Sequence, residues 1–304
     1  MQLRVPANVV ILSMFFAALL VGCSGKNAED DFDGPPLGVG GGRKKVVKKE
    51  LPSKGWGTLR GRVVIDGVAP APRSLVKKMK DQKDAAHCLM GDTNDFLWRV
   101  KDGGVANAVV WLRAPEEYYF KIPESMTKAK DVKIDQPYCA FEPHVVVLYP
   151  SYFNGQQQVE TGQKFFVYNS APIAHNTSWQ STNRYVTPGG NVIVPAMGDP
   201  LKIGVNASRP GEAGGEVLLS LSCTIHPWMK AFAWAFDHPF AAVTSGERKG
   251  DKSYGDFEIK NAPAGAKLQL VLWHESMSAP RVLREIVLKE GDNGPITIKL
   301  SPNQ

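Results

Sequence analysis

Short apolar stretches of four to seven residues, cut apart by turn residues, most narrow the folds open to this chain. They run at Val145–Leu148, Lys164–Asn169, Asn191–Val194, Leu201–Val205, Glu216–Ser222 and Lys230–Phe236, with breaks such as Asn154-Gly155 and Pro188-Gly189-Gly190 between them. Runs this short, bounded by Gly, Pro and Asn, suit strands rather than bundle helices. With 29 Gly and 22 Pro among 304 residues, turns are plentiful enough to connect many of them. The expectation is an all-β chain whose central part, residues 131–238, is a Greek-key β-sandwich flanked by small β-sandwich-like units at 56–130 and 239–304. In the first unit, Thr58–Gly67 alternates and closes on Asp66-Gly67, and Val105–Leu112 reads as a second strand. Ser74–Asp84 suits a short helix or a basic loop.

Residues 1–23 read as an export signal. Arg4 supplies a positive start, Val9–Val21 is apolar, and Leu20-Val21-Gly22-Cys23 closes the run. The apolar stretch is too short for a membrane span with these flanks. Its end resembles the bacterial lipoprotein box. That resemblance implies lipidation of Cys23 and a chain anchored on the periplasmic or cell-surface face of a bacterial membrane. Ser24 after the Cys points to the outer membrane. Residues 24–55 carry acidic residues, then Gly40-Gly41-Gly42, then Arg43-Lys44-Lys45 and Lys48-Lys49, without apolar period, and are expected to be a flexible tether. The formal charge of +6 is mild, and no basic run is interleaved with stacking aromatics, so no nucleic-acid partner is expected.

The chemistry concentrates in Cys223-Thr224-Ile225-His226-Pro227-Trp228-Met229, directly after a strand. A thiolate, an imidazole and a thioether in one loop form a ligand set that suits copper cycling between Cu(I) and Cu(II). A second imidazole stands at His175, in Ala174-His175-Asn176, again just after a strand. This pattern resembles the cupredoxins, the small blue copper proteins, and the loop is closest to the amicyanin type. The resemblance implies a single type 1 copper with His175, Cys223 and His226 as equatorial ligands and Met229 as the weak axial one. Asn176 and Thr224 fall where the family ties its two ligand loops together. It further implies one-electron transfer to a redox protein such as a c-type cytochrome or a dehydrogenase. His226 would be the electron exit, within an apolar rim of Pro172, Ile173, Pro227 and Trp228. The strand before Cys223 lacks the aromatic frequent in that family, and the flanking units are additions to it. His144, in Cys139-Ala140-Phe141-Glu142-Pro143-His144, is expected beside the site rather than on the metal. His238, and His274 with Glu275, are expected to anchor turns rather than to form another metal position. Tyr254–Glu275, with Asn261, Pro263 and Gly265 at its turn, resembles the carboxypeptidase-regulatory-like, or transthyretin-like, β-sandwich repeats.

Four cysteines set an arithmetic. With Cys23 assigned to lipid, Cys88, Cys139 and Cys223 remain in an oxidising compartment, and an odd number leaves one thiol unpaired. A Cys88–Cys139 bridge leaves Cys223 for a metal; a Cys139–Cys223 bridge would abolish such a site. No Gly-x-Ser-x-Gly, His-Glu-x-x-His or phosphate-binding glycine loop is present, so no enzyme is expected. The alternatives to electron transfer are a copper carrier without a redox partner and a metal-free structural or glycan-binding β-sandwich at the cell surface. For the anchor, Cys23→Ser is expected to move the protein out of the membrane fraction or to leave it unprocessed. Unchanged membrane retention on fractionation would assign the anchoring to another part of the chain.

Overall fold

The computed structural model describes residues 47–247 and 253–302. The signal, Cys23 and the tether up to residue 46 lie outside them. The fold is all-β. Among the described residues, the helices are the two short ones Val76–Lys80 and Ala85–Cys88 and a single 3-10 turn. No helix among them is long and apolar enough to cross a membrane.

The central part is built on a five-stranded sheet in the order Gly190–Val194, His175–Ser181, Glu216–Ser222, Lys230–Phe236, Val145–Leu148. A three-stranded sheet runs Leu201–Ile203, Phe165–Val167, Val132–Ile134. Alternation decides which side chains go inward. Val217, Leu219 and Leu221 meet Phe165, Val167, Ile134 and Ile203 in one core, and Cys223 and Met229 belong to that core too. The strand Lys230–Phe236 buries both faces. Ala231, Ala233 and Ala235 point into this core, and the larger Trp234 and Phe236 belong to a second cluster with Trp111, Val145, Val271 and Trp273. The ring centroids of Trp111 and Trp234 stand 5.2 Å apart, and those of Trp234 and Trp273 5.7 Å. At the edge of this aromatic layer the Arg113 guanidinium grips Glu216 with both arms, at 2.6 and 2.5 Å, and Trp111 Nε1 donates to the same carboxylate at 2.9 Å.

The segments read as two separate flanking units share their sheets. Gly55–Ile65 pairs antiparallel with Asp256–Ala264 and parallel with Gly291–Leu300. Val109–Arg113 lies between Ala241–Val243 and Lys267–Trp273. The cause is the core these strands enclose. Leu59, Val63, Val110 and Leu112 from the first segment pack with Phe257, Ile259, Leu268 and Leu270 from the last, so neither half covers its apolar face alone. The turn at Gly265 carries the chain from one of these sheets to the other, at φ +77°, where a glycine is suited. The described end of the segment expected to be a tether is structured. Lys49–Glu50 pairs parallel with Tyr118–Tyr119, and Leu51 is buried against the same core.

Two buried histidines anchor turns in this part. His238 Nδ1 accepts from the Phe240 N–H at 3.1 Å, and His274 Nδ1 from the Ser276 N–H at 3.2 Å. Burial, aided by Arg113, pushes His238 down to about 3; burial pushes His274 down to about 4 against the opposing Glu275 carboxylate. Both values lie below the ordinary histidine value of about 6.5, so the unfolded chain takes up these protons first. Stability is therefore complete above about pH 6.5 and falls as the pH drops towards the folded values, by about 1.4 kcal/mol per histidine per pH unit. Denaturant midpoints of the metal-free protein are expected to decline from pH 6.5 to 4.5. His238→Asn, which keeps an acceptor for Phe240, is expected to flatten the slope. A level profile over that range would contradict the assignment.

Candidate metal centre

The strands His175–Ser181 and Glu216–Ser222 are antiparallel hydrogen-bonded neighbours, with Ser178 opposite Ser222. That register brings the start of one to the end of the other. There, His175, Cys223 and His226 place one ligand atom each within 4.8 Å of one another, all three residues buried. The Nδ1 atoms of the two histidines face each other at 3.0 Å, and Cys223 Sγ lies 3.9 Å from His226 Nδ1.

The loop is laced to the His175 strand by one side chain. Asn176 Oδ1 accepts from the Thr224 N–H at 2.7 Å, the Thr224 hydroxyl at 3.0 Å and the Ile225 N–H at 3.3 Å, and Cys223 Sγ stands 3.2 Å from it. Asn176 Nδ2 in turn donates to Asn191 Oδ1 at 2.7 Å, on the edge strand. Within the loop, the Met229 N–H donates to His226 O at 2.9 Å and the Cys223 N–H to Met229 O at 3.3 Å. These two bonds close the turn that holds the thiol, the imidazole and the thioether together. Met229 is 1% exposed.

Burial holds both imidazoles neutral. His175 is pushed down to about 4 by burial, with His226 adding repulsion, and His226 is lowered by burial against the pull of Asp84. Asp84 Oδ2 lies 3.3 Å from His226 Nε2, an ion-pair approach rather than a formed hydrogen bond. A carboxylate there favours a proton on Nε2, which leaves the Nδ1 lone pair towards Cys223 and His175. His175 Nε2 is buried and makes no hydrogen bond. Two nitrogens and a thiol converging in a buried core, with a carboxylate behind one imidazole, could hold a metal ion.

The structure pairs Cys88 with Cys139 and leaves Cys223 free. His226, expected as the electron exit, is 0% exposed, with Asp84 at its Nε2. Its loop neighbours Thr224 and Pro227 are exposed, as is Pro172, while Ile173 and Trp228 are half-buried. His144 is not among the converging ligand atoms, and it lines one cleft with Trp228 and Met229. Its Nε2 meets Glu275 Oε2 at 2.8 Å and its ring stacks on Phe96. His87, without an evident role in the sequence, joins Nε2 to Pro137 O at 2.8 Å and so ties the covering helix to the Cys139 turn. Asp84 escaped notice because nothing in its sequence neighbourhood marks a partner for His226; an acidic residue four positions before Cys88 is the one local clue. Compared with known protein families, curated proteins and solved structures, the chain matches none of them.

Asn176→Ala is expected to strand the Thr224 and Ile225 amides and to cost about 1–3 kcal/mol in denaturant unfolding of the metal-free protein. Metal retention against a chelator is expected to fall about 10–100-fold. An unchanged midpoint together with unchanged retention would remove Asn176 from the centre.

Proposed function

We propose that this chain is an exported, lipid-anchored mononuclear copper protein that carries single electrons between periplasmic or cell-surface redox partners. The observation that supports it is the buried convergence of His175, Cys223 and His226 at the meeting of two adjacent strands. Copper held there supplies one-electron exchange between Cu(I) and Cu(II). His175, His226 and Cys223 are the ligands in this reading, and Met229 is the axial donor. Burial lowers both histidines towards the neutral form, so a cation entering the site has less positive charge to displace. Asn176 keeps the two ligand loops at fixed separation, which limits rearrangement between oxidation states. The surrounding core, with Met79, Leu221 and Ala231, excludes water. Pro227, next in sequence to His226, and Pro172 offer an exposed apolar approach for a partner such as a c-type cytochrome or a dehydrogenase.

One observation favours a second reading, a copper carrier without a redox partner. The full burial of His226 beneath Asp84 puts the imidazole edge out of a partner's direct reach. Rapid electron exchange with a soluble c-type cytochrome supports the first reading; stable copper binding without exchange supports the second.

The Cu(II)-loaded protein is expected to show a strong visible thiolate-to-copper band, which Cys223→Ser abolishes. A colourless protein without stoichiometric copper would overturn both readings and leave a structural or glycan-binding β-sandwich. Met229→Gln is expected to lower the reduction potential, because an amide oxygen favours Cu(II). Met229→Leu is expected to raise it, because no donor remains. Voltammetry decides: shifts well below ~59 mV, a tenfold change for one electron, or shifts of one sign, would remove Met229 from the axial position.

A further inference from the structure

A second set of donors converges on His226. Cys88 Sγ, Cys139 Sγ and a ring nitrogen of His226 also lie within 4.8 Å of one another, and all three residues are buried. In the oxidised chain the two sulfurs are bonded to each other, with their Cα atoms 5.1 Å apart. A disulfide is a poor ligand, whereas two thiolates at that spacing are strong, soft ones. The Asp84 carboxylate approaches His226 from the start of the helix that carries Cys88, and the Cys88 N–H donates to Asp84 O at 3.1 Å. Both cysteines are buried, and a cleft leads towards Cys139. This cleft, of about 380 Å³ and lined by Arg73, Ser74 and Lys78, extends to Cys139, Trp228 and Met229, and the first three of these are exposed.

We propose that Cys88, Cys139 and His226 form an alternative, thiol-gated position for Cu(I), closed by the disulfide and opened by a dithiol reductant. The exchange balances. The dithiol gives up two electrons and two protons and leaves as its own disulfide, while Cys88 and Cys139 become thiols. Each thiol that ligates Cu(I) then releases its proton to solvent. The two positions share one imidazole. A neutral imidazole offers one lone pair, so the chain holds its ion at one position or the other. Thiol reduction would thereby move Cu(I) from a one-thiolate to a two-thiolate setting and tighten its hold.

This position does not depend on Cys223, which separates its test from that of the electron-transfer reading. The full chain carrying Cys223→Ser is titrated anaerobically with Cu(I) against a chromophoric Cu(I) chelator. One sample is kept oxidised; the other is reduced with a dithiol and freed of it. The reduced variant is expected to retain one Cu(I) per chain, held about tenfold or more tightly than in the oxidised variant. X-ray absorption is expected to report two short sulfur neighbours. Adding Cys88→Ser and Cys139→Ser is expected to abolish the gain. Equal retention by the oxidised and reduced variants, or a gain that survives loss of both cysteines, would overturn the proposal. Should Cys223→Ser fail to fold, X-ray absorption of the Cu(I)-loaded wild-type chain decides: the number of short, thiolate-type sulfur neighbours must rise from one to two on reduction, and no rise overturns it. Failure of the visible band in the oxidised wild-type protein bears on the readings of the His175–Cys223–His226 cluster and not on this position.

Discussion

One amide oxygen carries the geometry of the cluster. Asn176 Oδ1 receives two backbone N–H groups and a hydroxyl from the loop that begins at Cys223. Its own nitrogen is tied to Asn191 on the neighbouring strand. A loop after a strand is ordinarily the least constrained part of a sheet. Here it is pinned from the side by a residue adjacent in sequence to the other histidine. The separation between the His175 strand and the Cys223 loop is therefore set by hydrogen bonds that need no ion. Such preorganisation lowers what the chain must rearrange when a ligand enters.

Electrostatics follows from the same placement. The cluster lies in the apolar core shared with Leu221, Ala231 and Met229, and that medium disfavours charged imidazole. Neutral nitrogens facing at 3.0 Å can coexist, whereas two protonated ones there would repel strongly. Asp84, from the segment covering the core, adds the one carboxylate that biases the His226 tautomer. Packing thus selects the protonation state before any ligand does.

Much of this was legible in the sequence. Val145–Leu148, Glu216–Ser222 and Lys230–Phe236 form strands with the bounds their alternation suggested. The pairing of His175 with the Cys223 loop was legible from residue type; His175, read as following a strand, instead opens the strand His175–Ser181. What escaped was non-local. Gly55–Ile65 finds partners about two hundred residues on, at Asp256–Ala264, and strand alternation names a buried face without naming its partner. Asp84 over His226, 142 positions apart (226 − 84), is invisible for the same reason. So is the junction of His144 with Glu275, which joins two segments that read as separate units.

The alternation along Lys230–Phe236 reaches beyond packing. A strand that turns alanines to one core and Trp234 and Phe236 to another has no solvent face to spare. Residues 131–238, cut free, would bare that aromatic layer together with the Glu216 carboxylate that Arg113 now neutralises. An excised piece of this kind would present an aggregation-prone sheet. The unit of engineering is therefore the whole β assembly, and any transplant of the cluster has to bring Trp111, Arg113 and Trp273 with it.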